Sequence, residues 1–307
     1  MATISGAHIS VPNERLHAEP LAAARASWVA GLRRFGQHQL AVVGAVFIII
    51  VIGGAVCAPL ITPADYADIR FIEDAYAFPS AQHWMGVDGL GRDFFSRMVY
   101  GARVSLFVGF SATLVALAIG LPLGAVSGYS GGVADWMVLR LMELCFPIPP
   151  LLIAILLMTL LGPSLQNVLI AIVATAWIPV CRLVRGQVLS LRELDFITAA
   201  RLAGASPSRI VLRHLLPNTF APVIVALTLA IPGAIMIEAG LSFLGVGLSA
   251  PTPSWGRMIA EGLPQLNYYW HLAVIPAGAL ALTMLAFSVA GDGLRDALDP
   301  LTGGPKM

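Results

Sequence analysis

DFITAARLAGASPSRIVLRHLLPN, residues 195–218, is a polar, small-residue stretch with three arginines and a histidine, set between two long apolar runs. Asp195 is a favourable N-cap residue, and Phe196, Ala199, Ala200 and Ala203 follow at helical spacing on one face. Gly204 suits a left-handed C-terminal cap, so the spacing predicts a helix of about ten residues. Ser206 then caps a second helix with Pro207 at its first position, running through Arg209 and Arg213 into the next apolar run. Three of the four residues on the first helix's face are alanines, which offer little apolar area to lipid but permit close backbone approach by a protein surface. An interfacial helix resting on headgroups is one reading; insertion into a groove on a partner fits the alanines better.

The surroundings of this stretch belong to a bilayer. The 307 residues are 58% hydrophobic and only 11% charged, with a mean hydropathy of +0.83, far outside the soluble range. Six apolar runs are long enough to cross a hydrocarbon core of about 30 Å: 40–61, 104–129, 139–161, 165–183, 215–244 and 271–290. The expected fold is an all-α integral membrane protein of six transmembrane helices. Pro122, the FPIPP cluster (Pro147, Pro149, Pro150), Pro179, Pro217, Pro232 and Pro276 fall inside these runs and are read as kinks, because neighbouring helices can re-satisfy the freed backbone groups.

Arginine placement gives the orientation, since the chain has a single lysine, Lys306. Arg15, Arg25, Arg33 and Arg34 precede the first run, and Arg182, Arg185, Arg192, Arg201, Arg209 and Arg213 lie between the fourth and fifth. Both segments are expected to be cytoplasmic, and an even span count puts both termini there. The loop 62–103 carries Arg70, Arg92, Arg97 and Arg103 against Asp65, Asp68, Glu73, Asp74, Asp88 and Asp93, an acidic bias that suits the outside. The chain divides into a tail 1–37 that begins disordered, a six-span domain 38–292 with external loops 62–103 and 245–270 and a polar segment 192–210, and a tail 293–307. Short interfacial helices are expected in the external loops, with Trp84 and Trp255 near headgroup level.

Little here can do bond chemistry. A phosphate cradle of the usual kind needs GxxxxGK with Ser or Thr, and Lys306 is followed only by Met307, so any nucleotide hydrolysis must reside in another polypeptide. Cys57, Cys145 and Cys181 have no metal-ligand spacing, and the formal net charge of +1 gives no nucleic-acid signal. GYSGG, residues 128–132, brings to mind a serine nucleophile at Ser130 paired with His271. The expected topology puts the two on opposite sides of the membrane, and glycines flanking a small polar residue are what a tight turn requires. Arg140 and Glu143, three apart, suit a local ion pair on one helix face. Glu238 has no basic residue at helical spacing, so it needs a partner from another helix, another subunit or a watery path. These three are the candidates for a pathway or a subunit interface.

TAARLAGAS followed by RHLLPN resembles the coupling segment of bacterial binding-protein-dependent ABC importers, whose pattern is Glu-Ala-Ala, three residues, Gly, then Leu-Pro downstream. Ala199, Ala200, Gly204, Leu216 and Pro217 match it, while Thr198 stands where the family has glutamate, which bears on any ion pair made there. HWMGVDGLGRDFFSRMVYGARVSL (residues 83–106), EAGLSFLGVGLSAPTPSWGRMI and GDGLRDALDP are similar to blocks of the dipeptide, oligopeptide, glutathione and nickel permeases, specifically their second permease subunit. The resemblance covers nearly the whole chain beyond the tail. It implies a type I importer permease fold in a bacterial inner membrane, half of a pore made with a paralogous permease. It also implies two cytoplasmic ATPases that hold ATP and magnesium, a solute-binding protein outside, and no cofactor in this chain. Asp195, Phe196, Thr198, Ala199, Ala200, Ala203, Gly204 and Ala205 then become the ATPase-coupling residues of a non-catalytic subunit importing peptides or related small solutes. A secondary transporter, with broken helices and carboxylates at mid-membrane, is the alternative; FPIPP could break a helix. An intramembrane serine protease using Ser130 is the other.

Overall fold

A computed structural model of the chain describes residue 31, residues 33–145 and residues 147–298. The expectations for the tail before Gly31, for Phe146 of FPIPP, and for Lys306 with residues 299–307 fall outside the described residues. Among the described residues regular structure is helical, apart from one isolated bridge between Val87 and Asp93. In chain order the elements are α1 (Gln39–Val56), α2 (Ala58–Ile61), α3 (Phe94–Ser130), α4 (Gly132–Cys145), α5 (Pro150–Leu161), α6 (Leu165–Leu191), α7 (Asp195–Leu202), α8 (Pro207–Phe243), α9 (Trp255–Gly262) and α10 (His271–Leu298). Five of these, α1, α3, α6, α8 and α10, are long and apolar enough to cross a membrane, and α4 with α5 makes a sixth if the bent pair is one span.

The apolar runs occupy only part of longer helices. At 1.5 Å per residue the 37-residue α3 is roughly 55 Å long, well beyond the hydrocarbon core. Asp93 fixes its start: the carboxylate accepts a bond from the Ser96 amide at 2.7 Å. Pro122, Pro179, Pro232 and Pro276 sit inside continuous helices, as the reading of them as kinks requires. Pro217 is accommodated by the wide π turn Val211–Leu215 just ahead of it, where a missing amide is tolerated. FPIPP is a stronger interruption than the single run 139–161 suggested. α4 and α5 meet at 81°, since three prolines within four residues remove donors and force extended backbone, with Pro149 at ψ 132°.

α3 and α6 form the tightest pair. Gly120, Gly124 and Gly128, four apart, face the Trp177, Cys181 and Arg185 carbonyls, also four apart. A Cβ added at these glycines would lie 2.7, 2.6 and 2.9 Å from those oxygens. Small residues at this spacing let helix backbones touch, and in lipid it is such contact, rather than expulsion of water, that holds spans together.

At the end of the bundle bearing α9, a cluster of charges links two distant loops. Arg97, 1% exposed, donates through Nη1 to Asp88 at 2.6 Å and to Glu261 of α9 at 2.8 Å. Arg92 Nε pairs with Asp88 at 2.7 Å, and Arg257 Nε with Glu261 at 2.7 Å. Trp255 turns into the protein rather than toward lipid: it is 2% exposed, packs with Phe94, Met98 and Met258, and donates its indole N–H to the Met98 carbonyl at 3.1 Å. Its amphipathic ring finds both its apolar surface and its acceptor inside the protein. Trp84 stays 63% exposed.

Candidate coupling and pathway residues

The quoted stretch folds into α7, a turn, and the start of α8. Gly204 has φ +79°, the left-handed conformation that glycine adopts without strain. The Ser206 hydroxyl accepts from the Arg209 amide at 3.4 Å, with Pro207 first in the helix that follows. The other cap differs from the expectation. Leu194 is the N-cap, without a side-chain bond, and Asp195 is the first helical residue, where its charge faces the positive end of the helix dipole.

Packing sorts the faces of α7. Ile197 is fully buried among Val184, Val188, Ile210 and Leu215, and half-buried Ala200 and Ala205 join the same cluster. The Arg201 guanidinium lies 5.8 Å from the Tyr129 ring centroid at the end of α3. Phe196, Ala199 and Ala203 are exposed together, as their spacing implied, with Asp195, Thr198 and Gly204 also exposed. Ala200 is turned inward from the face assigned to it, because the helix rolls to bury Ile197, the largest aliphatic side chain within reach of the core. Leu202, overlooked in the small-residue reading, is 86% exposed and stands one turn from Ala199; Phe196 is 42% exposed. The visible signal was an apolar residue at i+3 from Ala199 in a polar stretch.

The intramembrane candidates separate. Arg140 and Glu143 form an exposed i,i+3 ion pair at 2.8 Å on α4, as their spacing suggested, and Glu143 edges a cavity of about 430 Å³ beside Arg182 and Arg185. Glu238 has no exposed surface. One carboxylate oxygen accepts from Ser105 of α3 at 3.0 Å and the other from Ser242 at 2.8 Å, so its partner from another helix is a hydroxyl within this chain. A second cavity, about 440 Å³ and mostly apolar, opens between the start of α5 and Pro179 of α6; Cys145, Thr175, Ile178 and Arg182 are on its wall. Ser130 ends α3, and Gly131 and Gly132 follow with φ +64° and +57°, a turn. His271 packs against Phe94, at the opposite end of α3, with ring centroids 6.3 Å apart. The helix's roughly 55 Å length thus separates the serine from that histidine.

The arrangement is one that can hold a partner and pass on movement. A helix that exposes apolar side chains at the tip of a polar turn is anchored to three spanning helices, and cavities lie beside a sharply bent span.

Comparison with known proteins agrees with that architecture. A family model described as binding-protein-dependent transport system inner membrane component matches residues 120–303, and one described as the N-terminal TM domain of oligopeptide transport permease C matches residues 27–79. The chain is 43% identical over 274 residues to oligopeptide transport system permease protein OppC of Bacillus subtilis (strain 168), covering 89% of each. It is 44% identical over 269 residues to dipeptide transport system permease protein DppC of the same organism, covering 87% of this chain and 84% of the relative. Identity to glutathione transport system permease protein GsiD of Escherichia coli O157:H7 is 42% over 276 residues, with 90% and 91% covered. In fold it is like a chain of the inward-facing MetNI methionine ABC transporter, with TM-score 0.53 at 20% identity over 67% of this chain and 97% of that one. The chain belongs to the inner membrane component family of binding-protein-dependent transport systems and is a multi-pass permease subunit.

Proposed function

We propose that the chain forms half of the solute pathway of an ATP-driven importer of di- or oligopeptides or a related small solute, with a paralogous permease supplying the other half. The α7 end faces the cytoplasm, in keeping with the arginines around it, and both termini lie on that side. There α7 docks on one of two ATPases, which bind ATP and magnesium, while the α9 end meets a solute-binding protein outside. The observation that carries this reading is the division of α7. Ile197 is locked into the bundle while Phe196, Ala199 and Leu202 stand exposed on a polar turn, a surface shaped to enter a partner's groove. Closure of the ATPases would displace α7, and its anchoring would pass the displacement to α3, α6 and α8. The chain contributes no catalytic residue.

Peptide names among the relatives support the solute class, and the binding protein does most of the choosing. The test is uptake of a labelled dipeptide into vesicles holding this permease, its paralogue and the ATPases, with the binding protein outside and ATP inside. Uptake should need every component and cease without internal ATP, and the purified chain alone should hydrolyse none. Uptake driven by a proton or sodium gradient without the ATPases would establish a secondary transporter instead.

A further inference from the structure

α4 is attached to the bundle unlike the other long helices. It begins at two consecutive glycines in left-handed conformation, Gly131 and Gly132, and ends at the proline-rich bend, where the chain turns through 81°. Of its side chains only Met142 is buried; Val133, Trp136, Met137 and Leu144 are 59 to 74% exposed. Packing alone holds it weakly.

A polar clasp holds its first turn. Arg185 of α6 grips Asp135 with two parallel bonds, Nε to Oδ1 at 2.6 Å and Nη2 to Oδ2 at 2.8 Å, and the Ser127 hydroxyl of α3 donates to the same carboxylate. Both charged side chains are mostly buried, at 25% and 19% exposure, so the pair is shielded from the screening that weakens surface salt bridges. About two turns further on, at the C-cap of α6, Arg192 donates through Nη1 to the Gly128 carbonyl of α3 at 2.9 Å, and α7 starts three residues later. The Arg201–Tyr129 contact closes the circuit from α7 back to the end of α3.

We infer that Asp135 and Arg185 are positioning residues for transport: through them, displacement of α7 at the end of α6 sets the position of α4. The cavity with Arg182, Thr175 and Ile178 on its wall, bounded by α4, α5 and α6, is then the part of the pathway that this movement opens and closes. The fixed geometry of the guanidinium suits the task. Two parallel bonds to one carboxylate transmit rotation as well as translation, which a point charge does not. This inference rests on the proposed function, and its test is separable from that reading because the wild-type complex serves as the control.

Asp135→Asn, Arg185→Gln and Arg185→Lys, and the exchange of Asp135→Arg with Arg185→Asp, are to be compared in the reconstituted complex. Readouts are ATP hydrolysis, peptide uptake and melting temperature at equal permease content. Each single variant is expected to keep ATPase association and hydrolysis while uptake per ATP falls at least about tenfold, the order lost when a charge-assisted hydrogen bond is broken. Arg185→Lys, which keeps the charge but not the fork, should fall with them, and the exchange should recover most of the lost ratio. A merely structural role would lower melting temperature and amount, leaving uptake per ATP unchanged in the folded fraction. Uptake per ATP at the wild-type value in the single variants would overturn the inference, as would an exchange that restores the melting temperature but not the ratio. Absence of ATP-dependent uptake in the wild-type control would instead count against the proposed function.

Discussion

Leu202→Asp should abolish ATPase association and transport while leaving the permease folded and in the membrane. The side chain is 86% exposed in the chain on its own, so the substitution costs the isolated permease nothing in packing. In a groove, a buried leucine contributes about 1.5 to 3 kcal/mol, equivalent to a ten- to hundredfold change in affinity. An unpaired carboxylate buried in its place adds its own desolvation penalty. Phe196→Asp should act in the same direction, less strongly because more of that ring is already covered. Copurification of the ATPases with tagged permease, and peptide uptake at equal membrane level, provide the check. Wild-type association by both variants would mean that the outward side of α7 is not where the ATPase binds.

Arg97→Ala should have the largest effect on stability. Arg97 is 1% exposed and supplies a bond to both Asp88 and Glu261, so its removal leaves two carboxylates short of countercharge at the junction of α3, α9 and the loop before α3. Breaking a buried ion pair by deleting one partner typically costs about 3 to 5 kcal/mol. The detergent-solubilised protein should melt on the order of 10 °C lower. The pH dependence carries a second signature. Burial by itself would raise the Glu261 pKa, but the charges of Arg97 and Arg92 and the bonds from Arg97 and Arg257 outweigh it and hold the carboxyl below its ordinary range. A carboxylate shifted downward adds stability that is in full force above the ordinary glutamate value, about 4.3, and is lost as pH falls below it. Acidification should therefore lower the wild-type melting temperature in that window, and should do so less in Arg97→Ala. Melting within about 2 °C of wild type at neutral pH would show that the cluster contributes little, as exposed pairs do.

The two variants probe features that differ in how far the sequence discloses them. The membrane class, the apolar runs, the turn at Gly131 and Gly132, the left-handed Gly204 and the Ser206 cap follow from local chemistry, where composition and neighbouring residues decide the conformation. The ladder of Gly120, Gly124 and Gly128 is also visible as a spacing, although its partner helix is not. Asp135 and Arg185 lie 50 residues apart and Arg97 and Glu261 lie 164 apart. Nothing local announces those pairs, because only the packing of whole helices brings them within reach. The burial of Trp255 is hidden for the same reason, since an amphipathic ring suits a headgroup layer and a buried carbonyl equally well. The roll of α7 is a subtler case: small residues define a face by spacing, but the helix turns to bury Ile197, and Ala200 follows it inward.

The proposed contact between α7 and an ATPase can be tested directly by crosslinking. A photo-crosslinking amino acid placed at Ala199, exposed at the centre of the outward face, should join the permease to an ATPase subunit in the assembled complex. The same probe at Leu141, 46% exposed on α4 in the membrane-crossing region, should not. An ATPase adduct from position 199 whose yield changes when ATP is added is the result this account predicts. Adducts from position 199 to lipid alone, in a complex that hydrolyses ATP and transports peptide, would contradict it.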